Sequence, residues 1–244
     1  MTFIAYEYKN IARDLKETQK ELAGAKADVA KLIRHKFLKD SNVRSDALIV
    51  TLRDYVYKNT VIGTDQFDYG DAVDHFITLD LHENKMVCFG MAAMYSWLLR
   101  QFDIPSRTVV MAAKSFVDGD RLGDTHASVD VYDEVNQKWY ASDPTFNVSF
   151  KCNGKGELLD YEELVSCLRK GGTITTVRNG VTYLKGRTVG EYYIPYSDLL
   201  FAIKAPEVSS SDGRVLIKGL ELPHKDWFAQ ASKHYAKSRS VNSR

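Results

Sequence analysis

The sequence predicts an α+β fold in which a central helix carrying a cysteine packs on an antiparallel sheet carrying a histidine and an aspartate. Three observations predict it. From Cys88 the run CFGMAAMYSWLLR is apolar on almost every side, the pattern of a buried helix. The runs THASVDVYD (125–133) and KWYASDPT (138–145) alternate apolar and polar residues around a short polar turn, as hairpin strands do. Residues 5–38, rich in Lys, Glu, Asp and Ala, carry a helical stripe of their own. The 244 residues suit one domain with extensions or two small domains; the expected division is a helical extension over 1–38, a main domain over 39–206 and a C-terminal tail over 207–244.

In the first element, Ile11, Leu15, Leu22, Val29, Leu32 and Ile33 form an apolar stripe with loose heptad spacing, and Gly24 is a point where the helix can break. Two readings fit it: an amphipathic helix packed on the domain, or an arm through which 5–38 meets a helical partner. Asp46–Tyr57 reads as a second helix capped by Ser45, and Asp71–Leu79 as a third. Cys88 then opens the central helix. Unpaired backbone N–H groups and the positive dipole end favour thiolate over thiol there. Gly90 leaves room for close approach of backbone or substrate. Arg100 and Gln101 suit the last turn, and Pro105 disfavours helix at Ile104.

Arg107–Ala113 is strand-like. The loop Val117–Asp124 holds Asp118, Asp120 and Asp124, a spacing that hints at calcium. The EF-hand pattern fails, since Leu122 takes a ligand position and Val129 the terminal Glu position, so a rim loop is expected. A four-residue turn over Asp133–Asn136 sets 126 opposite 143 and 128 opposite 141, making His126 and Asp143 cross-strand neighbours. Further on, Asn179-Gly180 signals a hairpin between Thr173–Val177 and Val181–Lys185. GRTVGEYYIPYSDLLFAIKA carries both strand and helix character. Ser209–Gly213 reads as a linker, and the basic tail from His224 as a solvated terminus.

Thirty-three basic against thirty-two acidic residues give a net charge of +1 and no signal for nucleic acid. No apolar run has the length of a membrane span and no signal peptide is visible, so the cytoplasm is the default expectation. Three cysteines are too few for a disulfide framework. Cys152 and Cys167 could pair in an oxidising compartment; ordinary cytosolic usage favours two free thiols. There is no CxxC and no phosphate-binding Gly loop, so neither metal nor cofactor is expected.

Cys88, His126 and Asp143 are the residue types of a nucleophile, a base and an orienting carboxylate, in that order. The expected chemistry is attack of the Cys88 thiolate on an amide carbonyl. His126 takes the thiol proton and returns it to the leaving amine, while Asp143 holds the imidazole. The Cys88 backbone N–H would supply part of an oxyanion hole, with Gln66, His82 and Asn84 as candidate side-chain donors.

CFGMAAMYSWLLRQFDIPSRTVV, the His-Ala opening a strand and the following Trp-Tyr-x-x-Asp-Pro-Thr resemble, in order, the core motifs of the transglutaminase-like superfamily. The resemblance covers residues 46–147 and implies a papain-like cysteine enzyme core, with 39–206 as its catalytic domain. By it Cys88 is the nucleophile, His126 the general base and acid, and Asp143 the orienting group. The chain departs from the family at Met86, often Gly, and at Ser128, commonly Trp. The absence of CxxC weakens any likeness to the zinc-bearing deglycosylating branch. The departures at Met86 and Ser128 both bear on the acyl-binding cleft, so the resemblance does not carry over a substrate class. The triad chemistry is expected to act on an amide in a peptide or protein, through a thioester intermediate resolved by water or by an amine. Hydrolysis is favoured, because small relatives are often proteolytic and the flanking β-sandwich domains of the large crosslinking enzymes are lacking. The alternatives are a protein-crosslinking acyltransferase and a catalytically inactive peptide- or glycan-binding module.

Overall fold

The structure is a computed structural model, in which the described residues are 2–38, 45–63, 76, 84–112, 125–177, 180, 183–184, 187–196 and 203–204. The chain divides into two compact units, Met1–Val43 and Arg44–Arg244. The first is built on one helix, α1 (Thr2–Phe37), which runs unbroken through Gly24. A single Gly costs a helix only about 1 kcal/mol, and the Ala, Lys, Glu and Leu around it outweigh that. Arg34, His35 and Lys36 occupy the last turn, at the negative end of the dipole.

The second unit opens with α2 (Ser45–Lys58), which starts at the residue expected to cap it. Strand β1 (Thr60–Ile62) pairs in parallel with β2 (Asn84–Met86). Of the expected third helix only Phe76 is described; it is helical and buried. Helix α3 (Cys88–Arg100) follows directly on β2. It ends at Arg100, and Asp103 turns the chain with φ 58° before Pro105.

The main sheet contains β3 (Ser106–Ala112), β4 (Thr125–Asp133), β5 (Lys138–Asp143), β6 (Val148–Cys152), β7 (Ile174–Val177) and β10 (Ile203–Lys204). Its order is β10-β3-β4-β5-β6-β7, and every neighbouring pair is antiparallel. Helix α4 (Tyr161–Arg169) lies between β6 and β7 in sequence. After β7 come a small hairpin, β8 (Tyr183–Leu184) with β9 (Arg187–Thr188), then α5 (Val189–Tyr192) and a 3-10 turn (Ile194–Tyr196).

The sheet is buried on both sides, and the alternation of side chains separates two layers. On one side Ser142 and Ser149 face Arg53 of α2 and Tyr95 of α3. On the other, Ala141, Val148 and Phe150 join Tyr161, Leu164 and Val165 of α4 with Val189 and Tyr193 in one apolar cluster. Apolar area removed from water, at roughly 25 cal/mol per Å², makes the second layer stabilising. The second layer is one the sequence reading did not contain, since α4 and β6 went unrecognised there. The D-Y-E-E of residues 160–163 was the available signal. Asp160 accepts from the Glu163 amide at 2.8 Å and Glu163 reaches back to the Asp160 amide at 3.0 Å, a capping box.

Three expectations are corrected. The β4–β5 turn lies over residues 134–137 rather than 133–136, because the Asp133 carboxylate accepts from the Val135 and Asn136 amides and Gln137 takes φ 50°. The register is therefore Val129↔Ser142 and Asp130↔Ala141, which places Asp143 opposite Ser128 and not opposite His126. The shift is by two residues, so every side chain keeps its face. Second, the strand after Gly180 does not return along β7. It pairs with β9, and Gly180 packs so tightly on the Phe146 and Asn147 carbonyls that a Cβ there would collide with both. Third, Cys152 and Cys167 are joined in a disulfide that ties β6 to α4.

Candidate active site

Cys88 is the first residue of α3. The residue before it, Val87, is extended (φ −80°, ψ 167°) and no side chain caps the helix end, so the positive end of the backbone dipole is left to the thiol. The tight entry follows from β2, which delivers the chain to Val87 with Met86 buried. His126 stands second in β4, opposite Met111 of β3. Asp143 is the last residue of β5. Because β5 stops opposite Ser128, β4 projects beyond it, and this projecting end carries His126 and Ala127.

The three side chains form one relay. His126 Nε2 donates to Asp143 Oδ2 at 2.8 Å, with the imidazole 1% exposed and the carboxylate wholly buried. The Cys88 thiol is hydrogen-bonded to the His126 side chain and to the backbone of Ala127. With Nε2 taken by Asp143, Nδ1 is the ring nitrogen left for sulfur. His126 and Asp143 are diagonal rather than direct cross-strand neighbours, still within reach because they share a face.

These contacts set the charges. Burial alone would push the Cys88 thiol up. The hydrogen bond and charge of His126, with the Ala127 amide, outweigh burial and bring it below its ordinary value. Burial would push His126 down. The charge and hydrogen bond of Asp143, with the bond to Cys88, hold it well above the usual imidazole range. Both shifts favour the thiolate–imidazolium form of the pair.

Asp143 is locked by its own turn. Oδ1 accepts from the Thr145 amide at 2.7 Å, so the Asp-Pro-Thr sequence folds back on its own carboxylate. Asn147 closes that turn at φ 54°. It is held by the buried Arg53, whose Nε donates to Asn147 Oδ1 at 3.0 Å, and by its own bond to Asp54 at 2.9 Å. Arg53 Nη1 also reaches Ser142 Oγ (3.1 Å) and Ser149 Oγ (2.6 Å), on either side of the turn. Tyr95 of α3 adds a 2.9 Å bond to Ser142.

An aromatic wall surrounds His126. Phe146 stacks on it (5.4 Å, 24°), while Tyr192 and Tyr193 meet it edge-on at 5.4 and 5.6 Å. The Tyr193 hydroxyl donates to Asp143 Oδ2, the oxygen that His126 also uses. The sequence reading missed Arg53, Ala127, Phe146 and Tyr193. For Tyr193 the only local signal was T-V-G-E at 188–191, whose capping box is formed and opens α5.

Of the oxyanion candidates, Gln66 and His82 lie outside the described residues. Asn84 begins β2, opposite Thr60. The loop with Asp118, Asp120 and Asp124 also lies outside the described residues, as do the 207–244 tail and its linker. Among the described residues no group of three or more His, Cys, Asp or Glu could hold a metal, and no helix is long and apolar enough to cross a membrane.

Comparison with known proteins finds one family, described as the transglutaminase-like superfamily, over residues 34–144. No protein of curated function matches the chain. Among solved structures, "a Putative Cysteine Protease from Cytophaga hutchinsonii" is similar at 24% identity over 49% of this chain, with a TM-score of 0.35. The chain covers 37% of that protein's length. The segment 34–144, which contains Cys88, His126 and Asp143 in that order, is the part of the chain that matches the transglutaminase-like superfamily.

Proposed function

We propose that the protein is a cysteine-dependent amide hydrolase acting on a peptide or protein. The observation that carries the reading is the continuous hydrogen-bonded chain from Cys88 through His126 to Asp143 at the start of a buried helix. The Cys88 thiolate attacks the carbonyl carbon, and the carbonyl π electrons move to oxygen. The Cys88 backbone N–H meets that oxyanion. His126, as imidazolium, gives its proton to the departing amine, leaving a Cys88 thioester. Water then attacks the thioester as His126 takes its proton. The acid leaves, and the thiolate–imidazolium pair is restored. Asp143 keeps Nε2–H donating, so the same nitrogen, Nδ1, handles each proton.

An amine in place of water in the second half would make the protein a crosslinking acyltransferase. The triad serves both outcomes. A purified protein given a mixed peptide library, with and without a primary amine, distinguishes them by mass spectrometry. Free acid termini are expected, in amounts the amine does not suppress. Cys88→Ala and His126→Ala are expected to abolish turnover, and Asp143→Asn to leave a residue of it. Full turnover by Cys88→Ala would overturn the reading. The protein would then be better understood as a binding module.

A further inference from the structure

Each oxygen of Asp143 is assigned. Oδ1 holds the Thr145 amide, and Oδ2 accepts from both His126 Nε2 and the Tyr193 hydroxyl. Tyr193 is wholly buried, with its ring against Phe150 (5.1 Å), Phe146 (6.4 Å) and Tyr161 (6.2 Å). It lies fifty residues beyond Asp143 and outside the 34–144 segment that matches the family.

We propose that Tyr193 is a positioning residue for the site: by sharing one Asp143 oxygen with His126 Nε2, its hydroxyl sets how strongly that carboxylate holds the imidazolium. The inference rests on the triad reading above and deepens it. A carboxylate oxygen with two donors gives less of its charge to each. The second donor also holds the carboxylate in place when His126 releases its proton. Burial and the neighbouring Asp143 charge push the Tyr193 phenol well above its ordinary value, so it remains a donor at any pH where the protein works. The ionisable groups facing the pair are Cys88 from α3, Tyr161 from α4, and Tyr192 and Tyr193 at the end of α5. Tyr161 completes the arrangement, 3.5 Å from the Tyr193 hydroxyl and bonded to Ser128 on its other side. The position where Trp is common in the family is here a buried serine that joins this chain of hydroxyls.

The test is a 15N-histidine NMR titration of His126 from pH 6 to 11 in the full chain, with iodoacetamide labelling of Cys88 beside it. Tyr193→Phe keeps the ring and removes the shared donor. The His126 midpoint is expected to rise by roughly one pH unit, the scale of one hydrogen bond to a charged group. A purely structural tyrosine would lower the unfolding midpoint and leave the His126 midpoint where it was. If Tyr193→Phe does not fold, wild-type protein grown on 3-fluorotyrosine supplies a stronger phenol donor, and the His126 midpoint is expected to fall. An unmoved midpoint, with His126→Ala still slowing Cys88 labelling, would overturn the role of Tyr193 alone. His126→Ala leaving Cys88 labelling unchanged would overturn the catalytic pair and this inference with it.

Discussion

At Cys88 two opposing effects meet, and their balance sets the reactivity of the site. Burial disfavours the thiolate, whereas the imidazolium, the Ala127 amide and the helix end favour it, and the second group wins. Cys88 is therefore expected to react with limiting iodoacetamide at pH values below the ordinary thiol range of about 8.5. Its labelling should fall only when acid protonates the thiolate. In His126→Ala the hydrogen bond and charge of the imidazole are gone while burial and the Ala127 amide remain, so the labelling midpoint should move up. Mass-spectrometric labelling across pH 5 to 10 reads both curves, and coincident curves would contradict the ion pair. Cys152 and Cys167 should stay unlabelled in the native protein because they are bonded to each other.

The elements matter through the turn that follows Asp143. Arg53 on α2 reaches across to Ser142, Asn147 and Ser149 with three hydrogen bonds from inside the protein. A buried guanidinium is costly to bring out of water, and removing it leaves its partners unsatisfied. Arg53→Met should lower unfolding free energy by roughly 3 kcal/mol in urea titration, and a loss under about 0.5 kcal/mol would be the size of an ordinary surface change. Gly180 acts on the same turn from the other side. Alanine there would push against the Phe146 and Asn147 carbonyls. Since Phe146 stacks on His126, Gly180→Ala should slow Cys88 labelling as well as destabilise the fold. Unchanged labelling would mean that the turn adjusts without moving the histidine.

Across the whole molecule two features outside the site govern stability. The Cys152–Cys167 bridge closes a loop of 15 residues between β6 and α4. By loop-closure entropy such a bridge contributes roughly 3 kcal/mol. A Cys152→Ser, Cys167→Ser double variant should lose that much in a denaturant titration while Cys88 labelling persists. At the far end of β4, burial pushes Asp130 up to about 6, against the charge and hydrogen bonds of Arg107. A folded value above the unfolded one means the folded state holds the proton more tightly. The stability contribution of Asp130 is then complete below its unfolded value of about 4 and is lost as pH rises towards 6. Asp130→Asn should flatten the dependence of unfolding free energy on pH between 4 and 6, and an equal slope in both proteins would contradict this.

The sequence by itself determined the α+β core, the helix beginning at Cys88, the strands of His126 and Asp143, and the face those two share. Each is written in local periodicity: an apolar run of helical length, and alternation that a two-residue register shift leaves intact. Family motifs around the same three residues carry the same information. The disulfide and the packing of the second helical layer were decided by tertiary structure, since Cys152 meeting Cys167 depends on where the backbone is already held. The turn at 134–137, by contrast, is set locally by Asp133 accepting from the Val135 and Asn136 amides. Most distant from any local signal are Arg53 and Tyr193, which meet the Asp143 turn from 89 and 50 residues away in sequence. A buried polar group takes whatever partner the packed fold brings to it, and no spacing in the chain records which one that is.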